Sequence, residues 1–94
     1  MYLHHDLDGF EKCVTRALTT PIRQSQFDAC VSLCYNIGQD NFSTSTLVKM
    51  LNAGSAPDII ALQFLRWNRA KDKPLAGLTR RRKAEMALFL TSTA

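Results

Sequence analysis

Leu3, Leu7, Phe10, Val14 and Ala17 recur at spacings of four, three, four and three. That period lays one apolar stripe along a helix and is incompatible with the two-residue alternation of a strand. The stripe predicts a first helix from about Tyr2 to Leu18, ended by Thr19-Thr20-Pro21. A second helix follows, with Ser25 as its cap, Phe27, Cys30, Val31, Cys34 and Ile37 as its buried face and Gly38 as a left-handed stop. Its apolar density marks it as central. Ser43 or Ser45 can start a third helix through Leu47, Met50 and Leu51, closed by Gly54. Ser55-Ala56-Pro57-Asp58 reads as a fresh start, with proline in the first turn and aspartate favoured by the dipole. In the fourth helix Ile59, Ile60, Leu62, Phe64, Leu65 and Trp67 leave little polar face, so heavy packing all round is expected. Arg69 to Gly77 is the longest irregular stretch and the candidate for a mobile functional loop, before a final helix from about Thr79 to Leu90. No strand pattern is found. The expected fold class is all-α, a single domain over residues 1–94 built as a bundle of about five helices.

Composition bounds what such a bundle can be. Hydrophobic residues at 46% and charged residues at 21% of 94 positions are enough for one modest core and argue against disorder. No apolar run approaches the roughly 18–20 residues of a membrane helix, and the N-terminus has no basic segment leading into an apolar signal core. A net charge of +4 is unevenly placed: residues 1–40 hold three basic and five acidic side chains, residues 41–94 nine and three. The second half is thus a cationic surface suited to an anionic partner. Cys13, Cys30 and Cys34 are read as buried thiols of a reduced protein. A zinc site with His4 and His5 is the competing reading. Adjacent histidines on a helix diverge and no Cys-x-x-Cys pair exists, so neither metal nor cofactor is expected.

Several motifs stand in a fixed order: Cys34-Tyr35-Asn36-Ile37-Gly38, Ser45-Thr46-Leu47, Leu51-Asn52-Ala53-Gly54, Phe64-Leu65-Arg66-Trp67-Asn68, Gly77-Leu78, Arg81-Arg82 and Glu85. Together they resemble the carboxy-terminal lobe of the phage-type lysozymes, the endolysins or muramidases with which phages open the host wall. The resemblance runs from Leu3 to Leu90, and residues 1–18 resemble the family's interlobe helix. It implies a lysozyme-like helical lobe that lacks the catalytic amino-terminal lobe, since the family's glutamate, aspartate and threonine lie ahead of the point where this pattern begins. It also implies manufacture in the host cytoplasm and action on the cell wall.

Glycoside cleavage calls for two carboxyl groups flanking the scissile bond. The two glutamates of this chain, Glu11 beside Phe10 and Glu85 four residues after Arg81, look unlike such a pair, so no catalytic residue is assigned. The resemblance places Asn36 and Trp67 at the sugar cleft as substrate-binding residues, with a helix-end hydrogen bond and plain core packing as their respective structural uses. Ser43, Ser45 and Thr46 can touch sugar, although capping accounts for them. Arg81, Arg82 and Glu85 form a structural ion-pair group, which would offset the unfavourable placing of Arg80-Arg81-Arg82-Lys83 at a helix start. The expected function is the substrate-binding lobe of a peptidoglycan-degrading protein, weakly bound to peptidoglycan and inactive alone. Alternatives are a helical module that dimerises or docks through Leu3, Leu7 and Phe10, and a basic nucleic-acid-binding module, which lacks interleaved aromatics.

Overall fold

In the second helical segment Ala29, Cys30, Leu33 and Cys34 are all wholly buried, and this makes it the axis on which the rest packs. The structure, a computed structural model, describes residues 2–70 and 73–91, and the side chains of residues 9–68 and 75–91. Its helices are α1 Tyr2–Ala17, α2 Gln24–Ile37, α3 Gln39–Ser43, α4 Thr46–Asn52, α5 Pro57–Leu62 and α6 Ala76–Leu90. A 3-10 helix, Gln63–Trp67, continues directly from α5. Helices α1 and α6 pack on α2, and α5 with the 3-10 helix packs on α6. Phe42, Phe64 and Phe89 fill the centre, the last two with ring centroids 5.5 Å apart. Each such side chain contributes about 1.5–3 kcal/mol on leaving water.

The all-helical class holds, with more segments than expected. Gly38, at φ 96° and ψ 154°, ends α2 as anticipated, but the polar residues after it form α3 instead of a plain loop: the glycine breaks the helix for one residue and its carbonyl then accepts the Phe42 N–H at 3.0 Å. Gly54 (φ 78°) closes the turn after α4, whose cap is Ser45: its hydroxyl accepts from Val48 N at 3.2 Å. The cap assigned to Ser25 is corrected. Helix α2 begins at Gln24, where Gln26 Oε1 accepts the Arg23 N–H at 2.9 Å, while Ser25 is buried and donates to Thr91 O at 3.1 Å. The hydroxyl serves to tie the end of α6 to the start of α2.

Further expectations fail in the second half. The single fourth helix is divided into α5 and the tighter 3-10 helix, and it is not packed all round: Ile59 and Leu62 are 50% and 56% exposed. Helix α5, six residues long and packed against α4 and α6, buries one stripe, Ile60 and Ala61. In the stretch expected to be irregular, β1 Arg69–Ala70 pairs antiparallel with β2 Lys73–Pro74, Arg69 opposite Pro74 and Ala70 opposite Lys73. The ladder is too short to leave an alternating pattern. Helix α6 also starts at Ala76, a turn earlier than expected, so the basic cluster lies beyond the first turn and largely escapes the dipole conflict. Among the described residues, no helix is long and apolar enough to cross a membrane.

Candidate functional site

Two adjoining hollows of about 350 Å³ each share Asn41 and Trp67 and form one open groove across the face where α2, α3, α4, the 3-10 helix and α6 meet. One half is lined by Asn41, Thr44, Ser45, Thr46, Leu47, Gln63, Arg66 and Trp67. The other is lined by Asn36, Ile37, Asn41, Trp67, Leu78, Arg81 and Arg82. Amides, hydroxyls, an indole and guanidinium groups suit a ligand with many hydroxyl and amide groups and some negative charge. None of the lining residues is an aspartate or glutamate.

Of the residues singled out from the sequence, Asn36 and Trp67 both reach this groove. Asn36 is exposed, and its Nδ2 donates to Ser32 O at 2.7 Å, one turn back on α2. The helix hydrogen bond and the groove position therefore coexist. Trp67 is half-buried, packed against the core on one side and lining both hollows on the other. Ser45 is spent on capping, and Ser43 sits 3.4 Å from the Cys13 thiol. Sequence reasoning missed Asn41 and Gln63. Asn41 repeats the Asn36 device one helix later, donating to Ile37 O at 2.7 Å. Gln63 opens the 3-10 helix that Trp67 ends, and its Oε1 is buried without a hydrogen-bond partner, as a group awaiting a donor would be. A glutamine four before an aromatic, in the stretch Ile59 to Trp67 where only it and Arg66 are polar, was the available signal.

The ion-pair group resolves unequally. Arg82, 1% exposed, meets Glu85 with Nε 2.6 Å from Oε1 and Nη2 3.0 Å from Oε2. Glu85 Oε2 also accepts from Ser32 Oγ on α2. Arg81, expected to share the pair, is exposed on the groove and acts on Glu85 through its field alone. One residue along a helix turns about 100°, which separates the two neighbours. Burial pushes the Glu85 carboxyl above the ordinary range, while Ser32 and Arg82 pull it back in part.

Burial also pushes the Cys30 and Cys34 thiols up to about 12, with Cys34 reinforcing the effect on Cys30 and Cys13 that on Cys34. All three cysteines are free and buried, and the raised thiols of Cys30 and Cys34 are poor nucleophiles and poor ligands. Among the described residues no cluster could hold a metal, and the side chains of His4 and His5 lie outside them. So do those of Leu3 and Leu7. Phe10 packs edge-to-face on Tyr35, centroids 5.3 Å apart, and is half-buried by its own chain.

Fold and groove together define an all-helical chain with an open, polar, arginine-flanked face. The phage lysozyme family model matches residues 1–85, and the chain belongs to that family. It is 43% identical over 89 residues to the endolysin of Bacillus phage B103, covering 95% of this chain and 34% of that protein. With the endolysin of Acyrthosiphon pisum secondary endosymbiont phage 1 it shares 40% over 92 residues, 94% of this chain and 62% of the other. In three dimensions it matches the muramidase domain of SpmX from Asticaccaulis excentricus with a TM-score of 0.91 at 37% identity, covering 96% of this chain and 63% of that domain. The chain thus spans between about a third and two thirds of the length of these relatives.

Proposed function

We propose that residues 1–94 form the carboxy-terminal, substrate-binding lobe of a peptidoglycan-degrading lysozyme, with residues 1–18 as its interlobe helix. The pair of adjoining hollows that share Trp67 and Asn41 carries the reading. Its indole offers a sugar ring an apolar face, the amides of Asn36, Asn41 and Gln63 can pair with N-acetyl and hydroxyl groups, and Arg66 and Arg81 suit the carboxylates of the wall polymer. Catalysis of the N-acetylmuramoyl glycosidic bond is assigned to the longer proteins of the family. Here Glu11 is exposed on α1, outside the groove, and Glu85 is held by Arg82 and Ser32. Neither is placed as a general acid.

The decisive experiment measures retention on purified peptidoglycan and quenching of Trp67 by chitooligosaccharides, alongside a turbidity assay. Weak, salt-sensitive binding without lysis is expected. Absence of binding removes the reading, and lysis abolished by Glu11→Gln or Glu85→Gln shows the active site to be within this chain. Because the relatives are longer, the stripe of Leu3, Leu7 and Phe10 is proposed as the surface for a further lobe or a second copy. Sedimentation of the chain and of Leu7→Asp tests this, a strict and equal monomer in both overturning it.

A further inference from the structure

Arg82 is wholly enclosed, and an enclosed guanidinium must have each of its edges occupied. Nη2 donates to Glu85 Oε2 at 3.0 Å, Nε lies 2.6 Å from Oε1 as an ion-pair contact without hydrogen-bond alignment, and Nη1 donates to Trp67 O at 3.4 Å. Trp67 ends the 3-10 helix, so its carbonyl has no partner further along that helix. The same turn is held twice more from beyond it: Asn68 Nδ2 donates to Thr79 Oγ1 at 3.1 Å and Asn68 O accepts from Leu75 N at 3.0 Å. A chain of contacts therefore runs from Ser32 on α2, through Glu85 and Arg82 on α6, to the backbone of the groove's aromatic residue. Stability alone does not call for this arrangement, because a buried ion pair contributes little over well-packed apolar side chains of the same volume.

We propose that Glu85 and Ser32 are positioning residues that fix the fork of Arg82, which in turn holds the backbone of Trp67 and so sets the indole in the groove. The ligand half of this claim rests on the glycan-binding reading above; the positional half does not. Trp67 is the only tryptophan of the chain, so its fluorescence reports this turn without interference.

The test replaces the pair by apolar residues, Arg82→Met/Glu85→Met, beside Ser32→Ala, which leaves the ion pair in place and so tests the same chain of contacts in a milder form. Val14→Ala, a core change on α1, is the control for loss of stability. The double variant is expected to melt near the wild type yet show red-shifted Trp67 emission and stronger acrylamide quenching. Its chitooligosaccharide affinity should fall about tenfold, the equivalent of one charge-assisted hydrogen bond. Ser32→Ala should move the same readings less, and Val14→Ala should lower the melting temperature without moving them. Unchanged emission and quenching in both the double variant and Ser32→Ala, in folded protein, overturn the positioning claim whatever the affinity does. If emission changes in the variants while the wild type binds no chitooligosaccharide, the positioning claim stands and the glycan reading falls.

Discussion

The seam between α2 and α6 and the groove beside it are built from opposite materials. In the seam Ala29, Cys30, Leu33, Cys34 and Phe89 are dry, and the charged groups admitted there are matched to one another. In the groove Asn36, Asn41, Arg66 and Arg81 are exposed, the two asparagines each tied by one hydrogen bond to a helix carbonyl. Arg81 and Arg82 show the contrast within two consecutive positions: the first is open to solvent, the second 1% exposed. Composition says nothing of the difference. Both line the same hollow, and helix phase decides which guanidinium is locked to a buried carboxylate and which stands open to solvent.

The sharpest way to break this comparison is to truncate both arginines. Arg82→Ala leaves Glu85 buried and unpaired, and a loss of about 3–5 kcal/mol is expected from urea unfolding. Arg81→Ala should stay within about 0.5 kcal/mol while weakening retention on peptidoglycan. Equal losses in the two variants would erase the distinction between seam and groove. Leu33→Ala, at a fully buried position, should cost about 2–5 kcal/mol, while Leu62→Ala on the exposed side of α5 should cost under about 1 kcal/mol.

Alkaline titration sharpens the seam by itself. Cys30 and Cys34 are raised from 9.0 to about 12, so between those limits the folded chain holds protons that the unfolded chain releases. Stability is therefore intact below about pH 9 and declines as pH rises toward 12, by up to about 1.4 kcal/mol per pH unit for each thiol. Cys30→Val should flatten part of that decline in thermal melts recorded across the range. An unchanged slope would mean that the thiol is not the group responsible.

How legible all this was depends on the kind of signal. The long helices follow from apolar spacing, and the stops at Gly38 and Gly54 from backbone freedom, so these features match closely. Short elements leave no such trace: α3 and the two-residue ladder are fixed by what they pack on and by hydrogen bonds across the turn. Ser25 misled for a related reason. A serine before an apolar run is a cap by local logic, but here the hydroxyl meets Thr91 O, 66 positions away. Within the site, Trp67 and Asn36 were carried by resemblance. Gln63 and Asn41 needed the 3-10 turn and the fold of α3 over α2 to bring them beside it.

The smallest expected effect falls on Asn36, and it separates the two uses of that side chain. Its Nδ2 bond to Ser32 O lies on an exposed face, where water can replace it, so Asn36→Ala should change unfolding free energy by no more than about 0.5–1 kcal/mol. On the groove the same amide would face sugar hydroxyls, and losing a neutral hydrogen bond there should lower chitooligosaccharide affinity by about three- to tenfold. Asn36→Gln keeps the amide but displaces it by one methylene, and should restore the affinity in part. A variant that loses stability but no affinity would confine Asn36 to the helix and move the polar wall of the groove to Asn41, whose own bond to Ile37 O has the same form.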